Sequence, residues 1–213
     1  MSERSARACW IVAPGRAELR AEALVDPKPG EVLIETTWSG VSRGTESRIF
    51  QHDVPTTEHQ RMRAPFQDGT LPGPVKYGYA SVGRVRAGDP SLEGRAVFCL
   101  YPHQTAYVVP RSSVVPLPEG IPEERAVLGA NLETALNALW DAQPLIGQRI
   151  VVVGGGVVGS LVAYLAARIP GCDVCLVDVL PERARIAAAI DCRFCSVESA
   201  LHVAADADLV VHA

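Results

Sequence analysis

The chain has 213 residues, of which 48% are hydrophobic and 21% are charged, and its formal net charge is −4. This composition excludes a disordered polyelectrolyte, and the scattered basic residues predict binding neither to nucleic acid nor to an anionic membrane. The N-terminus has no apolar run long enough for a signal-peptide core. We therefore expect a cytoplasmic protein whose six cysteines stay reduced.

Residues 1–144 are predicted to form a β-rich domain followed by a connecting helix. Short strand patterns closed by Gly or Pro recur along it, in ARACWIV, EVLIETTW, GYASVGRVRAG, GRAVFCLY and QTAYVVP. Strands at this spacing favour a small barrel or sandwich. The polar, Pro-containing stretch from Val54 to Pro74 is predicted to be a loop. Pro122, followed by two glutamates, predicts the start of a helix that Pro144 ends.

Residues 145–213 are predicted to form a parallel sheet built from βαβ units. Strand patterns at RIVVV, CDVCLVD and ADLVVHA, with a further short one near RFCSV, alternate with the helix patterns GGGVVGSLVAYLAAR and PERARIAAAI. The uncharged stretch from Ile150 to Ala167 approaches the length of a membrane span. Three glycines near its middle favour a strand, a turn and a helix instead.

The turn after RIVVV carries a G-x-G-x-x-G pattern, formed by Gly154, Gly155, Gly156, Val157, Val158 and Gly159. The first glycine permits a tight turn, and the second lets the backbone approach a pyrophosphate without a Cβ. The third lets the helix pack closely on the strand. The helix N-terminus offers free N–H groups and partial positive charge to phosphates. The alternative is a Gly-rich turn with no ligand.

Asp178 ends the second strand of this half, 19 residues after the last glycine of the pattern. A carboxylate there can accept hydrogen bonds from both ribose hydroxyls, and it would repel a 2′-phosphate. The pattern therefore predicts NAD rather than NADP as the cofactor. Arg183 follows at the start of the next helix, where it lies either near the adenine or in solvent, paired with Glu182 or Asp178.

Two Cys-x-x-Cys pairs, Cys172 with Cys175 and Cys192 with Cys195, match the spacing of a four-cysteine zinc site. Their context argues against zinc. Cys175 lies inside an apolar strand, where residues three apart point to opposite faces. Structural zinc pairs sit on tight turns, and neither pair has Gly or Pro inside it or just after it. Zinc is not expected, and small buried cysteines are the simpler interpretation.

These residues together resemble the medium-chain dehydrogenase/reductase family, the superfamily of zinc alcohol dehydrogenases and quinone reductases. The resemblance covers nearly all of the chain, through KPGEVLIETTWSGVS, GYASVGRV and LPEGIPEERA…ETALNAL…GQRIVVVGGGVVG. It implies an α/β fold: a GroES-like β-barrel domain over residues 1–144, then the first half of a Rossmann doubly wound parallel sheet over residues 145–213. WSGVSRGTES and the His103 of FCLYPHQTAYVVP are similar to a zinc-lacking branch related to bacteriochlorophyllide hydroxyethyl dehydrogenases.

The chain departs from the zinc enzymes of this family at the metal ligands. Ser42 stands where they carry a Cys, Tyr79-Ala80 replaces a His-Glu pair, and the four-cysteine lobe has no counterpart. A catalytic zinc needs three protein ligands, so hydrogen-bond donors must polarise the substrate oxygen instead. Candidate catalytic residues are Ser42, Thr45, Glu46, Tyr79 and His103.

Each of these candidates except Tyr79 has two interpretations. The hydroxyls of Ser42 and Thr45 donate to the substrate or cap the turn. Glu46 is a buried base or a surface charge paired with a nearby arginine. Tyr79 would line the pocket, and His103 is a proton shuttle or a structural histidine between strands.

The resemblance implies an NAD(H)-dependent, zinc-independent oxidoreductase that transfers hydride between NAD and an alcohol or carbonyl. The expected partners are a small-molecule substrate and, in the full-length form, a second copy in a homodimer, with no nucleic acid and no membrane. The sequence ends at Ala213 on an apolar strand, so we expect it to be C-terminally incomplete. The alternatives are a truncated, non-catalytic dinucleotide-binding pseudoenzyme and an NADPH-dependent quinone or enone reductase.

Overall fold

The computed structural model describes residues 5–213, which form two compact units divided between Ala130 and Asn131. The expected α/β architecture, a β-rich unit followed by a parallel sheet, is confirmed. The domain limits that we propose from the sequence, 1–144 and 145–213, place the connecting helix with the first domain. The division by contacts places most of that helix with the second unit.

The first unit contains two antiparallel sheets. Their strands are β1 (Ser5–Ala13), β2 (Arg16–Ala23), β3 (Glu31–Ser39), β4 (Asp68–Gly69), β5 (Val75–Lys76), β6 (Ser81–Ala87), β7 (Ala96–Cys99), β8 (Ala106–Pro110) and β9 (Val114–Pro116). The strand orders are β2-β1-β5-β4 and β8-β3-β6-β7-β9. The five-stranded sheet curls into a half-barrel. All the predicted strands of this part of the chain are therefore present.

The core of the first unit includes both faces of β3 in the first half of that strand. Val32 and Ile34 are fully buried and pack with Val85 from a neighbouring strand. Leu33 lies between them, points to the opposite face and is also buried, so burial does not follow the expected two-residue period there. A second cluster surrounds Ile49.

Two helical segments before the parallel sheet differ from the expected ones. Helix α1 (Arg43–Phe50) occupies the segment expected to be a turn. The single helix expected after Pro122 is divided into α2 (Glu123–Ala126) and α3 (Gly129–Ala142). The second helix begins at Gly129, where an added Cβ would lie 3.3 Å from the ring of Phe98.

The second unit is a four-stranded parallel sheet of order β12-β11-β10-β13. Its strands are β10 (Arg149–Val153), β11 (Asp173–Asp178), β12 (Arg193–Ser196) and β13 (Leu209–His212). Its helices, besides most of α3, are α4 (Val157–Ala166), α5 (Ala184–Ala189) and α6 (Val197–Ala205). Both faces of β10 and β11 are covered: Ile150 and Leu176 face one apolar cluster, and Val151 and Cys175 face the other. This explains the uninterrupted apolar runs of these two strands.

The apolar stretch from Ile150 to Ala167 folds as the predicted strand, turn and helix. Glycine at positions 154–156 ends the strand and frees the backbone to turn. Across the part of the chain that the structure describes, no helix has the length and apolarity needed to cross a membrane.

Candidate functional site

The glycine loop joins β10 to α4 and is shaped by close backbone contacts. Gly154 adopts a φ of +105°, and its N–H donates to the carbonyl oxygen of Val177, at 2.8 Å. A Cβ on Gly154 would collide with the carbonyl oxygen of Ala213, and a Cβ on Gly159 would collide with the carbonyl oxygen of Gly154. These two positions therefore require glycine for the tight turn and for the packing of the helix on the strand.

Gly156 is different because an added Cβ there would meet nothing within 4 Å. It is the N-cap residue of α4, with φ −70° and ψ −170°, a backbone conformation that does not demand glycine. The fold alone therefore gives no reason for the missing side chain. Open space beside the first N–H groups of a helix is what a phosphate group would occupy.

Asp178 lies at the carboxyl end of β11, directly beside this loop. One carboxylate oxygen accepts the N–H of Gly155 at 2.5 Å, and the other accepts the N–H of Leu180 at 2.8 Å. Each oxygen has a second lone pair, so the carboxylate keeps capacity for further donors. The loop and the acidic residue that the sequence pattern pairs are thus in direct contact.

Arg183 reaches the same loop from a short 3₁₀ helix (Pro181–Arg183). Its Cβ and Cγ would lie 3.3 Å from a Cβ on Gly155, so the arginine stem packs on the loop. Its Nε is buried, and the described residues supply no hydrogen-bond acceptor for it. A buried donor normally has a partner, so this atom is an exception within the described residues. The two valines of the G-x-G-x-x-G pattern differ in burial. Val157 is exposed, whereas Val158 packs against the apolar cluster that contains Ile150.

In the first unit, His103 and Glu46 form a hydrogen-bonded pair. His103 Nε2 lies 2.6 Å from Glu46 Oε2, although the residues are 57 positions apart in the chain. Glu46 is 7% exposed, so it is not the surface charge of the alternative interpretation. Its other oxygen accepts the backbone N–H of Ser42, the N-cap residue of α1, at 2.7 Å. Helix α1 therefore fixes the carboxylate that faces the imidazole.

Ser39 extends this pair; it lies within the WSGVSRGTES motif but is not among the candidate catalytic residues. Its Oγ is 2.5 Å from His103 Nδ1, and the residue is exposed at the end of β3. Its place in that motif, just before Gly40, is the sequence feature that could have indicated it. Ser39, His103 and Glu46 thus form one chain of hydroxyl, imidazole and carboxylate, which we call the Ser39 relay.

The other candidates take different positions around the Ser39 relay. Ser42 is buried and supplies the backbone N–H just described. Thr45 is half-buried on α1, and Tyr79 packs against the apolar cluster around Ile49. Within residues 5–213, neither the Thr45 nor the Tyr79 hydroxyl hydrogen-bonds to His103 or Glu46.

Burial near the Ser39 relay keeps two neighbouring acidic groups protonated. Burial, and then the charges of Tyr79 and Glu46, raise the pKa of Tyr77 to about 12. Burial, assisted by Glu46, also raises the pKa of the Cys9 thiol above its ordinary value. The Tyr77 hydroxyl donates to the carbonyl oxygen of Met62 at 2.7 Å. Neither group is therefore a thiolate or phenolate base at neutral pH.

The Cys-x-x-Cys pairs are divided between the two faces of the parallel sheet. Cys172 and Cys192 pack against one apolar cluster, whereas Cys175 and Cys195 pack in the other. Burial, and then the hydrogen bond with Cys195, raise the pKa of Cys175 to about 12, which disfavours the thiolate that zinc requires. Within residues 5–213, no group of three or more His, Cys, Asp or Glu side chains is placed to hold a metal ion.

Comparison with known sequences gives one short match. No family model matches the chain. Over 83 residues it is 35% identical to the L-threonine 3-dehydrogenase of Rhizobium rhizogenes strain K84. This segment covers 37% of the chain and 23% of that enzyme, so the chain matches less than a quarter of its curated relative.

Comparison with solved structures covers nearly the whole chain. It superimposes on a short chain alcohol dehydrogenase of Escherichia coli CFT073, solved with the cofactor NADH, with a TM-score of 0.79 at 16% identity. It also superimposes on a quinone oxidoreductase of Thermus thermophilus, studied with NADPH, with a TM-score of 0.74 at 23% identity. The match covers 98% of the chain and 69% of the first structure, and 96% of the chain and 65% of the second. These similarities establish the fold, a GroES-like unit followed by a Rossmann-like sheet.

Proposed function

We propose that the chain is an NAD(H)-dependent, zinc-independent oxidoreductase of the medium-chain dehydrogenase/reductase type. It would move hydride between NAD and an alcohol or carbonyl substrate. The observation that carries this proposal is Gly156, at the N-terminus of α4. An added Cβ there would meet nothing within 4 Å, whereas a Cβ on Gly155 or Gly159 would meet neighbouring atoms. The structural relatives support the reaction class, since they are dehydrogenases and oxidoreductases and two of them were studied with nicotinamide dinucleotides.

The residues around the glycine loop fit a dinucleotide. The N–H groups at the start of α4 would hold the pyrophosphate, and the buried Nε of Arg183 provides a donor that the described residues leave without an acceptor. Asp178 would accept the ribose hydroxyls through the lone pairs that Gly155 and Leu180 do not use. When bound, the nicotinamide ring supplies the hydride acceptor or donor.

The choice of NAD over NADP rests on the charge of Asp178. A 2′-phosphate would bring negative charge next to a carboxylate that the backbone N–H of Gly155 already holds in place. An NADPH-dependent quinone or enone reductase is the competing proposal, and a structural relative studied with NADPH supports it. Preference of the chain for NADPH would favour that alternative.

We propose that the His103–Glu46 pair transfers the proton that accompanies hydride transfer. Oxidation of an alcohol releases the hydroxyl proton, and an imidazole held by a buried carboxylate can accept it and return it in the reverse direction. Ser42 and Tyr79 stand where zinc ligands occur in the resembled family, and neither is a zinc ligand of the usual kind. Zinc-independent proton transfer is therefore the simplest chemistry for these side chains.

Turnover of a panel of secondary alcohols with NAD, followed by nicotinamide absorbance, tests this proposal. His103→Gln should lower turnover about 100-fold or more, the usual contribution of a general base. His202→Gln, at an exposed position of α6, is the matched control and should leave turnover unchanged. Binding of NADH without turnover of any alcohol would instead support the non-catalytic, dinucleotide-binding alternative.

A further inference from the structure

The Ser39 relay has a defined direction of hydrogen bonding. One tautomer satisfies both contacts of the imidazole: His103 Nε2–H donates to Glu46 Oε2, at 2.6 Å. The other ring nitrogen, Nδ1, then has a free lone pair, and the Ser39 hydroxyl at 2.5 Å donates to it. A nucleophile bonded to a base that a third group orients is the arrangement found in serine hydrolases.

The imidazole of this relay is held firmly from several sides. The backbone N–H of His103 donates to the carbonyl oxygen of Tyr77, and its carbonyl oxygen accepts the N–H of Cys9, at 3.3 and 2.9 Å. An added Cβ on Gly78, whose φ is +129°, would lie 3.0 Å from ring atoms of His103. The ring therefore lies directly over a glycine that leaves room for it. Such preorganisation is what a general base needs.

Ser39 is also accessible to a ligand. It is exposed at the end of β3, so a small activated ester can reach its hydroxyl from solvent. Ser91 provides a contrast within the same unit. Among the described residues, its exposed hydroxyl donates to the Asp89 carboxylate, at 2.7 Å, and not to an imidazole.

We propose that Ser39 is a nucleophile that accepts acyl groups from activated carboxylic esters, an activity that requires no dinucleotide. Ser39 Oγ attacks the ester carbonyl carbon as its proton passes to His103 Nδ1. The C–O bond to the leaving group then breaks, and the leaving group takes the electron pair, with the proton passing to it or to solvent. Water then attacks the acyl-serine with His103 as base, releasing the carboxylic acid and restoring the hydroxyl. The sum is ester plus water giving acid plus alcohol.

Gly40 does not offer a free N–H to the developing oxyanion. In many serine hydrolases the backbone N–H after the nucleophile stabilises the oxyanion of both the acylation and the deacylation step. Here the N–H of Gly40 donates to the carbonyl oxygen of Ala80, at 2.8 Å, so we expect both steps to be slow. Because nitrophenolate is a good leaving group, p-nitrophenyl acetate should acylate Ser39 faster than the acyl-serine hydrolyses, which gives a burst of about one equivalent of nitrophenolate per chain.

The experiment follows this burst and maps the acetyl group by peptide mass spectrometry on the 213-residue chain without added nucleotide. The expected label is on Ser39, absent from Ser39→Ala and unchanged in Ser91→Ala. His103→Gln should slow labelling at Ser39 about 100-fold. Circular dichroism of each variant shows that its fold is retained.

Two results would overturn the proposal. The first is acetylation of Ser91 as fast as of Ser39, which would show that the imidazole confers no reactivity. The second is a folded His103→Gln variant that labels Ser39 at the original rate. Because neither readout involves NADH, a failed dinucleotide titration would leave the proposal on Ser39 standing, and a failed labelling would leave the oxidoreductase proposal standing.

Discussion

The glycine loop of the second unit and the Ser39 relay of the first are built in opposite ways. The loop is one contiguous run, Gly154 to Gly159, and its shape comes from backbone contacts that only glycine permits. The Ser39 relay joins side chains from three segments, separated by up to 64 positions along the chain. A site made from local backbone geometry leaves a sequence pattern, whereas a site assembled by tertiary folding leaves only scattered residues.

The largest expected effect comes from disturbing the position of the His103 ring in the Ser39 relay. Gly78→Ala would place a Cβ against the His103 ring at a φ of +129°, so the ring must move. We expect Ser39 acetylation to slow about 100-fold, since a displaced base loses most of its contribution. Gly94→Ala also has a positive φ, +74°, but nothing lies within 4 Å of its Cβ. An equal loss in both variants would show that backbone strain, and not the imidazole, is responsible.

The next prediction distinguishes a glycine of the loop that is needed for stability from one that is needed for NADH binding. Gly159→Ala would collide with the carbonyl oxygen of Gly154 and should lower the free energy of unfolding by about 2 kcal/mol or more. Gly156→Ala should change stability by less than about 0.5 kcal/mol yet weaken NADH binding at least about tenfold. Denaturant unfolding and calorimetric titration measure the two quantities. Full NADH affinity in Gly156→Ala would mean that the open space beside α4 does not receive the dinucleotide.

A smaller effect is expected for cofactor choice. Asp178→Asn removes the charge beside Gly155, so the preference for NADH over NADPH should fall about tenfold, equivalent to about 1.4 kcal/mol. Asp173→Asn is the matched control, because Asp173 lies at the opposite end of the same strand and pairs with Arg193. Titration of both variants with both nucleotides measures the ratio. An unchanged ratio in Asp178→Asn would remove this residue from the ribose site.

The smallest effect concerns the buried thiols. The pKa of Cys175 is raised to about 12, so at about pH 8 it should resist iodoacetamide while half-buried Cys172 reacts. The native state also keeps the Cys175 proton where the unfolded chain releases it. Its contribution to stability is therefore full below about pH 9 and decreases as the pH rises toward 12. Alkylation of Cys175 as rapid as that of Cys172, detected by mass spectrometry, would contradict this account.

The sequence predicts most of the fold because its periodic patterns report burial directly. The two-residue period of β8, in which Tyr107 and Val109 are buried, corresponds to one buried face, and the apolar runs of β10 and β11 correspond to two buried faces. Helix α1 is missed because its sequence, RGTESRIF, is short and polar, and Glu46 stabilises its first turn by a side-chain contact. Helices α2 and α3 are divided just before Gly129, which lies close to the ring of Phe98 on a strand distant in the sequence.

The two candidate sites also differ in how far the sequence predicts them. The sequence predicts that Asp178 meets the glycine loop, because parallel strands of a βαβ unit end at one edge. It indicates His103 and Glu46 singly but not their pairing, since nothing local relates a residue before β8 to a residue of α1. Ser39 lies in the WSGVSRGTES motif but is not predicted as a site residue, because its contact with His103 joins residues 64 positions apart in the chain.

The most direct measurement is a calorimetric titration of the 213-residue chain with NADH and then with NADPH. The account predicts saturable binding of NADH and clearly weaker binding of NADPH, with the NADH affinity reduced in Gly156→Ala while the fold is retained. Equal affinity for the two nucleotides, or NADH binding that Gly156→Ala leaves intact, would contradict the proposal that the glycine loop and Asp178 form an NAD-selective site.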